Sequence, residues 1–347
     1  MTDLTLISLI AIEDPLRTGA REAVADCGEA GVRMIMCTGD NALTAKSIAE
    51  QCGIYTVGGI VMEGPHFRTL SPDVMKAIVP RLQVLARSSA KDKRVLVETL
   101  KELGDVVGFT GGGTDDVPAL KAAHVGFPIG IAGTEVAKEA SNIILMDDNF
   151  ASIVKAIMLG RCVNDSVRKF LQFQISGNVT VVIATIVWAL ASSEEEPALS
   201  AVQLLWVNLI MDLFAALAFV TDPASPVLLD RKPDKRTDPL FTVNMVKQIL
   251  GQTVYQITMI LMLYFLGFQI LGLHYHDDIV RSLIFNAFVF TQIFNSFNCR
   301  RLDRKLNVFQ GMTKNWYFMV IITIGLFHRL RLFNDANFFH QRLPYKS

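Results

Sequence analysis

The chain has 347 residues, of which 51% are hydrophobic and only 19% are charged, so it is more apolar than an ordinary soluble protein. Lys+Arg and Asp+Glu balance at 33 each, and the net charge therefore argues against a nucleic acid as partner. The 5 cysteines show no C-x-x-C spacing, which argues against a zinc or redox site and is typical of reduced, cytosol-side cysteines. Residues 4–12 lack a basic flank and a cleavage site, so no signal peptide is predicted.

Residues 1 to about 160 alternate short apolar runs with amphipathic stretches. This pattern is typical of a parallel sheet wrapped by helices, so we predict an α/β domain. The predicted strands are 4–12, 33–37, 83–86, 106–109 and 125–127. Two of them end in turns of small and polar residues, at the edge where α/β sheets bind their ligands.

The first of these turns reads Thr38-Gly39-Asp40-Asn41 and opens a predicted helix at 42–51. A hydroxyl group and backbone amides at a helix N-terminus can cradle a phosphate. On its own the pattern is weak, and an ordinary strand-to-helix turn is the better interpretation of it.

The second turn, residues 110–116, is more specific. Its adjacent acids Asp115 and Asp116 follow a strand, where two carboxylates can hold Mg²⁺ facing a phosphate. Between the two turns, Lys91 and Lys93 begin a helix from which either could neutralise phosphate charge, although a solvated lysine face is the default interpretation. The sequence contains no P-loop and no dinucleotide-binding motif, which excludes those two classes of domain.

Beyond residue 169, long apolar runs alternate with short polar loops. Runs 170–193, 248–273 and 282–299 carry no charge, and run 198–221 carries only Asp212. At about 1.5 Å per residue each of the longer runs covers a hydrocarbon core of roughly 30 Å, so we predict four membrane-spanning helices. A fifth run, 315–327, is short for a crossing and is predicted to be an incomplete span.

The loops between these runs differ in charge. Those after the second and the fourth run are rich in Lys and Arg, whereas acids and histidines dominate the opposite loops. The positive-inside rule places the basic loops and the α/β domain on the cytosolic side. We therefore expect a multi-pass integral membrane protein whose helices contact membrane lipid.

Asp212 is the most informative residue of this half, because a carboxylate at membrane depth is costly and usually lines an ion path. Asn208 lies four residues earlier on the same helical face, and Asn178 and Gln174 are available from the preceding run. Such oxygen ligands suit Ca²⁺, with Mg²⁺ or a proton as alternatives of different geometry. The competing interpretation is that these polar groups only tie helices together.

Four segments together closely resemble P-type calcium-transporting ATPases of the plasma-membrane or vacuolar type, over nearly all of the chain up to about Thr323. They read Met36-Cys-Thr-Gly-Asp-Asn-Ala-Leu-Thr-Ala, Ala86-Arg-Ser-Ser-Ala-Lys-Asp-Lys, Thr110-Gly-Gly-Gly-Thr-Asp-Asp-Val-Pro-Ala-Leu and Gln203-Leu-Leu-Trp-Val-Asn-Leu-Ile-Met-Asp. The resemblance implies an incomplete α/β haloacid-dehalogenase-like (Rossmannoid) phosphorylation domain at 1–160, with a stalk helix to about 169. An α-helical transmembrane bundle at 170–333 follows, and then a divergent tail at 334–347.

The resemblance also implies roles for soluble residues. Asp14 and Arg17 match an element near the nucleotide, and the loop Thr38, Gly39 and Asp40 matches the one that contacts the phosphoryl group and the nucleotide. Lys93 matches the lysine that stabilises the aspartyl phosphate. The implied cofactors are Mg²⁺ and ATP.

In the membrane half, Asn178, Asn208 and Asp212 match the calcium ligands of the fifth and sixth helices of the family. Val181 and Met211 stand where two-site pumps carry a glutamate and a threonine. The resemblance therefore implies Ca²⁺ as the transported ion, with one ion per cycle.

The chain departs from the family pattern at the phosphorylation site. In the hinge loop Asp116 matches an acid around Mg²⁺, but Gly112 replaces the first Asp and so removes a direct ligand. Asp115 replaces an Asn and offers a partial substitute, but it lies three positions after Gly112 and is not expected to reach the same coordination site. The D-K-T-G-T loop, the T-G-E actuator loop and the nucleotide-binding domain do not occur in the sequence, and without the nucleophile no aspartyl phosphate forms.

The leading hypothesis is therefore a part of an ATP-driven Ca²⁺ pump that is inactive alone. The first alternative is a non-catalytic pseudo-pump that binds cations or regulates a full-length pump as its partner. A membrane-tethered phosphatase is disfavoured by the missing nucleophile, and a truncated gene product is the fourth option. Whether the chain is an enzyme by itself is left open by the sequence.

Overall fold

A computed structural model describes residues 8, 15–191, 205, 209, 212–235, 237–271, 278–300, 315–324 and 327. The chain divides into two compact units. The first is Met1–Leu159 with Pro226–Asp238, and the second is Gly160–Ser225 with Pro239–Ser347.

The first unit alternates helices with short parallel strands, which confirms the predicted α/β class. Its elements are α1 (Ala20–Glu29), β1 (Met36–Cys37), α2 (Ala42–Cys52), β2 (Ile60–Glu63), α3 (Gly64–Phe67), α4 (Pro72–Ile78), β3 (Leu82–Ala86), α5 (Ala90–Glu102), β4 (Gly108–Gly111), α6 (Val117–Ala122), β5 (Val125–Pro128) and α7 (Glu135–Glu139). Strand β3 lies between β1 and β2 in one parallel sheet, and β4 pairs with β5 in another.

The strands at 33–37, 83–86, 106–109 and 125–127 are present with bounds shifted by a few residues. The prediction missed β2, which pairs with β3 along its whole length. The predicted strand 4–12 lies outside the described residues except for residue 8, which has no assigned secondary structure.

Strand β3 forms the centre of the soluble core. Leu82 and Leu85 belong to a core cluster with residues of α3, α4, α5 and α6, whereas Val84 and Ala86 pack against Ala45 and Ala49 of α2. A strand covered on both faces must be apolar throughout, which explains its nearly uniform sequence Leu-Gln-Val-Leu-Ala.

The second unit is helical. A helix of 41 residues, α8 (Ala151–Ala191), begins before it and continues into it, and α9 (Asp212–Val220), α10 (Val243–Leu271) and α11 (Asp278–Cys299) follow, with a last helical segment at 316–324. By length and composition, two of the described helices could cross a membrane: α8 and the Val243–Leu266 part of α10. The number of crossings therefore stays a prediction, and half of run 198–221 lies outside the described residues.

Candidate functional site

The loop after β1 and the loop after β3 are joined by direct hydrogen bonds at the carboxyl edge of the sheet. The backbone amide and the hydroxyl of Ser88 both donate to the carbonyl of Thr38 at 2.9 Å, and the amide of Arg87 donates to the carbonyl of Asp40 at 2.8 Å. The predicted T-G-D turn is therefore fixed to its neighbouring loop by backbone.

Within this turn the side chains of Thr38 and Asp40 bond to each other. The Thr38 hydroxyl donates to Asp40 Oδ2 at 3.0 Å and accepts from the Asp40 amide at 3.1 Å. Asn41 then caps α2 by accepting from the amide of Thr44 at 2.9 Å. The Gly39 and Asp40 residues are exposed, so a phosphate could reach this helix N-terminus.

Lys93 and Asp116 form the central ion pair of the site. Lys93 Nζ lies 2.6 Å from Asp116 Oδ1, and the two side chains are only 12% and 15% exposed. The amide of Gly113 donates to the other carboxylate oxygen at 3.0 Å. The structure thus brings together Lys93 of α5 and the hinge-loop acid, which the sequence had placed in separate turns.

The first turn of α5 holds Lys93 in place. Ser89 and Asp92 form a reciprocal capping box, in which the Ser89 amide donates to Asp92 Oδ2 at 2.8 Å. Asp92 is fully buried, and Arg68 Nε lies 2.8 Å from its second oxygen. Sequence reasoning missed Asp92, although the S-x-x-D spacing before an apolar run is a signal that could have found it.

Cys37, at the end of β1, adjoins the same ion pair. Burial raises the pKa of its thiol to about 12, while Lys93 lowers it and Asp116 raises it. The thiol therefore stays protonated at neutral pH and offers no reactive thiolate at this edge.

The hinge loop leaves space for the pair because of its glycines. A Cβ atom on Gly111 would lie 2.4 Å from Asp116 Oδ2, so a side chain there cannot coexist with the observed carboxylate position. A Cβ on Gly112 would meet Ile129 and Gly133 at 3.4 Å, an ordinary contact distance. The position that departs from the family is therefore sterically open.

These residues do not complete a magnesium site by themselves. Both oxygens of Asp116 are engaged by Lys93 and Gly113, Gly112 offers no ligand, and Asp115 is exposed. Among the described residues no group of three or more His, Cys, Asp or Glu side chains could hold a metal ion. The assignment of Asp115 and Asp116 to Mg²⁺ stays a prediction.

Arg17 bonds to another loop of the first unit. Its guanidinium donates to the carbonyl of Asp148 at 2.6 Å, and the Asp148 carboxylate accepts from the amides of Ile131 and Ala132 at 2.8 Å each. Desolvation alone would raise the pKa of Asp148, but these amides and Arg17 lower it below its ordinary value. Asp14, the other residue of this predicted element, lies outside the described residues.

The predicted calcium ligands are not brought together within the described part of the chain. Asn178 lies on α8 and is exposed, Asn208 and Met211 lie outside the described residues, and Asp212 is described only as the first residue of α9. Val181 is half-buried against an apolar cluster of the second unit. Their joint role is therefore still a prediction.

Sequence reasoning missed an ion pair that joins the helices carrying Asn178 and Asp212. Lys169 Nζ of α8 lies 2.5 Å from Asp222 Oδ2, just after α9, and Asn315 Nδ2 donates to the other oxygen at 2.7 Å. Both charged side chains are largely buried, at 14% and 19% exposure. The only sequence signal was a charge at the border of each apolar run.

Comparison with known proteins finds two family models that match this chain. Residues 2–124 match the family described as haloacid dehalogenase-like hydrolase, and residues 196–330 match the one described as Cation transporting ATPase, C-terminus.

Related proteins match nearly the whole chain. It is 64% identical over 93% of its length to Calcium-transporting ATPase 2 of Cryptococcus neoformans, of which it covers 23%. It is 52% identical over 100% of its length to Calcium-transporting ATPase 2 of Schizosaccharomyces pombe, of which it covers 27%. It is 45% identical over 98% of its length to Calcium-transporting ATPase 4, plasma membrane-type, of Arabidopsis thaliana, of which it covers 33%. The chain thus spans about a quarter to a third of these relatives. Its similarity to them and to the two family models is that of a C-terminal part of a calcium-transporting ATPase.

Proposed function

We propose that this chain is part of an ATP-driven Ca²⁺ pump, contributing the loops that face the phosphorylated residue and half of the membrane calcium site. The observation that carries the proposal is the buried Lys93–Asp116 pair at the carboxyl edge of the sheet, beside the fixed Thr38–Asp40 turn. A lysine held there can stabilise negative charge on a phosphoryl group. The transported ion is inferred from the names of the relatives, which are calcium-transporting ATPases.

In this proposal the Thr38, Gly39 and Asp40 turn contacts nucleotide and phosphoryl group. Asn178, Asn208 and Asp212 bind one Ca²⁺ per cycle within a multi-pass bundle of the vacuolar or plasma membrane, and the soluble unit faces the cytosol. ATP and Mg²⁺ serve the whole pump. This chain contains no D-K-T-G-T nucleophile, so we expect that by itself it neither hydrolyses ATP nor moves Ca²⁺.

A chimera tests this proposal. The matching segment of the Schizosaccharomyces pombe relative is replaced by this chain, either unchanged or with Gly112→Asp, and ATP-dependent uptake of radioactive calcium into vesicles is measured. We expect uptake from the Gly112→Asp chimera, at least tenfold less from the unchanged chimera, and none from this chain alone. Asp212→Ala in the active chimera is the matched control and should abolish uptake.

Uptake by the isolated chain would overturn the claim that it is inactive alone. A Gly112→Asp chimera that is folded and inserted but silent would overturn the proposal that these residues serve a pump.

A non-catalytic regulator is the second candidate, and Gly112 is the observation that favours it. The loop has room for a side chain at position 112, yet the chain has a glycine where the family pattern has a carboxylate. This candidate predicts that the tagged chain co-purifies with an intact calcium pump at a fixed ratio. Lack of co-purification from membranes that contain both proteins would remove it.

A further inference from the structure

A polar cluster lies inside the second unit, where three helices meet, and neither the calcium site nor the phosphate loops use it. We define the amide cluster as six side chains that are at most 3% exposed: Ser176 and Thr180 of α8, Thr253 and Gln256 of α10, and Gln292 and Asn295 of α11. All six are uncharged. Buried polar groups of this kind need hydrogen-bond partners, because leaving one unpaired costs about 1–3 kcal/mol.

Most of the cluster is satisfied internally. Asn295 Nδ2 donates to Ser176 Oγ at 2.7 Å. The Thr180 hydroxyl lies 2.8 Å from the Ser176 carbonyl and 2.9 Å from Gln256 Oε1, and its one proton is shared between these two acceptors. Gln292 Nε2 donates to the same Gln256 oxygen at 3.1 Å. These bonds join the three helices in a continuous network.

Two atoms at one end of the network have no partner among the described residues: the donor Gln256 Nε2 and the acceptor Gln292 Oε1. Turning both amides over exchanges their roles, because Gln256 would then donate to Thr180 and to Gln292, and its own oxygen would become unpaired. Turning only one would set two donors or two acceptors 3.1 Å apart. Every consistent orientation therefore leaves one donor and one acceptor.

We propose that the Gln256 and Gln292 end of the amide cluster binds a single ordered water molecule. Water is the small ligand that both donates and accepts, so it satisfies the two leftover atoms together. A metal ion fits worse, since it would leave the amide donor unpaired and no carboxylate belongs to the cluster to balance its charge. The water would complete the contact between α10 and α11.

Nuclear magnetic resonance of the full chain in lipid nanodiscs tests this proposal. Glutamine is labelled with nitrogen-15, and rotating-frame transfer from water to side-chain amide protons is measured, with exposed Gln248 as the reference for fast exchange with solvent. We expect magnetisation to pass directly from a bound water to the side-chain amide protons of Gln256 or Gln292, and not through chemical exchange of those protons with solvent. The variant Gln256→Leu should remove it from the remaining Gln292 amide.

A second measurement covers the case in which that variant does not fold. A map of the unmodified chain at a resolution that shows waters should contain one density within hydrogen-bond distance of both glutamines. A cluster closed by another side chain, a density with the short coordination distances of a metal ion, or amides without transfer in a folded chain would each overturn the proposal.

Discussion

The Lys93–Asp116 pair allows a quantitative test of the site. Replacing Lys93 by Met keeps the aliphatic stem and removes the charge, while Asp116→Asn keeps an acceptor for the Gly113 amide. Because the pair is about seven-eighths buried, each single change leaves the remaining charge buried without its partner. The free energy of unfolding should therefore fall by about 3 kcal/mol in each single variant. The double variant should lose less than the sum of the two, leaving a coupling of about 1.5–3 kcal/mol.

The same helix offers a matched control. Arg94 and Glu98 also form an ion pair, at 2.8 Å, but their side chains are 58% and 44% exposed. Water and salt screen such a pair, so the corresponding cycle with Arg94→Met and Glu98→Gln should give a coupling of about 0.3–0.5 kcal/mol. The contrast between two pairs of similar length isolates the effect of burial.

The assay must report on the soluble unit alone. All three tryptophans lie beyond residue 160, so fluorescence would follow the wrong half. Hydrogen exchange of peptides from α5, measured by mass spectrometry on the detergent-solubilised chain in rising urea, gives the opening free energy directly. Equal couplings for the buried and the exposed pair would refute the reasoning.

Three further predictions concern single positions. Gly111→Ala should lower the unfolding temperature of the soluble unit by several degrees, because the new methyl group meets the paired carboxylate at 2.4 Å, whereas Gly113→Ala meets it at 3.5 Å and should be neutral in the same melt. The Cys37 thiol should resist iodoacetamide at pH 8, because burial raises its pKa to about 12. The stability that this protonated thiol contributes is fully present below pH 9 and is lost as the pH rises towards about 12. The urea midpoint should therefore fall with rising pH in this range, and Cys37→Ala should make that fall smaller. In α8, Gly177→Ala should destabilise the bundle because its methyl group would lie 2.8 Å from a buried glutamine amide, while Gly251→Ala, with open space around it, should not. Equal thermal unfolding midpoints of the two variants would contradict this.

The parts of the soluble site that could be predicted are the turns in which functional side chains directly follow a strand. The turns after β1 and β4 were located because small residues and acids follow apolar runs. The two strands lie in separate sheets, and the contact between Lys93, which follows β3, and Asp116, which follows β4, brings the carboxyl edges of the two sheets together. The strand Ile60–Glu63 was missed because a four-residue run gives almost no periodic signal.

The helical half was less predictable, because its polar contacts join residues distant in sequence. Lys169 and Asp222 are separated by 53 positions, and Gln256 and Gln292 by 36. A charge or amide at the border or inside an apolar run indicates that a partner exists, but only the packing of the helices says which one. The same lack of long-range information leaves the joint role of Asn178, Asn208 and Asp212 a prediction.

The conformation of the hinge loop does not depend on a side chain at position 112, whereas we expect its metal binding to depend on one. The loop is held through backbone groups, since the carbonyl of Gly112 accepts from the amide of Thr134 at 3.0 Å and Asp116 turns back to the amide of Gly113. No side chain at position 112 takes part in these bonds, so an aspartate there can change metal binding without refolding the loop. Any difference between the unchanged and the Gly112→Asp chimera therefore measures the missing ligand, because the Lys93–Asp116 geometry is common to both.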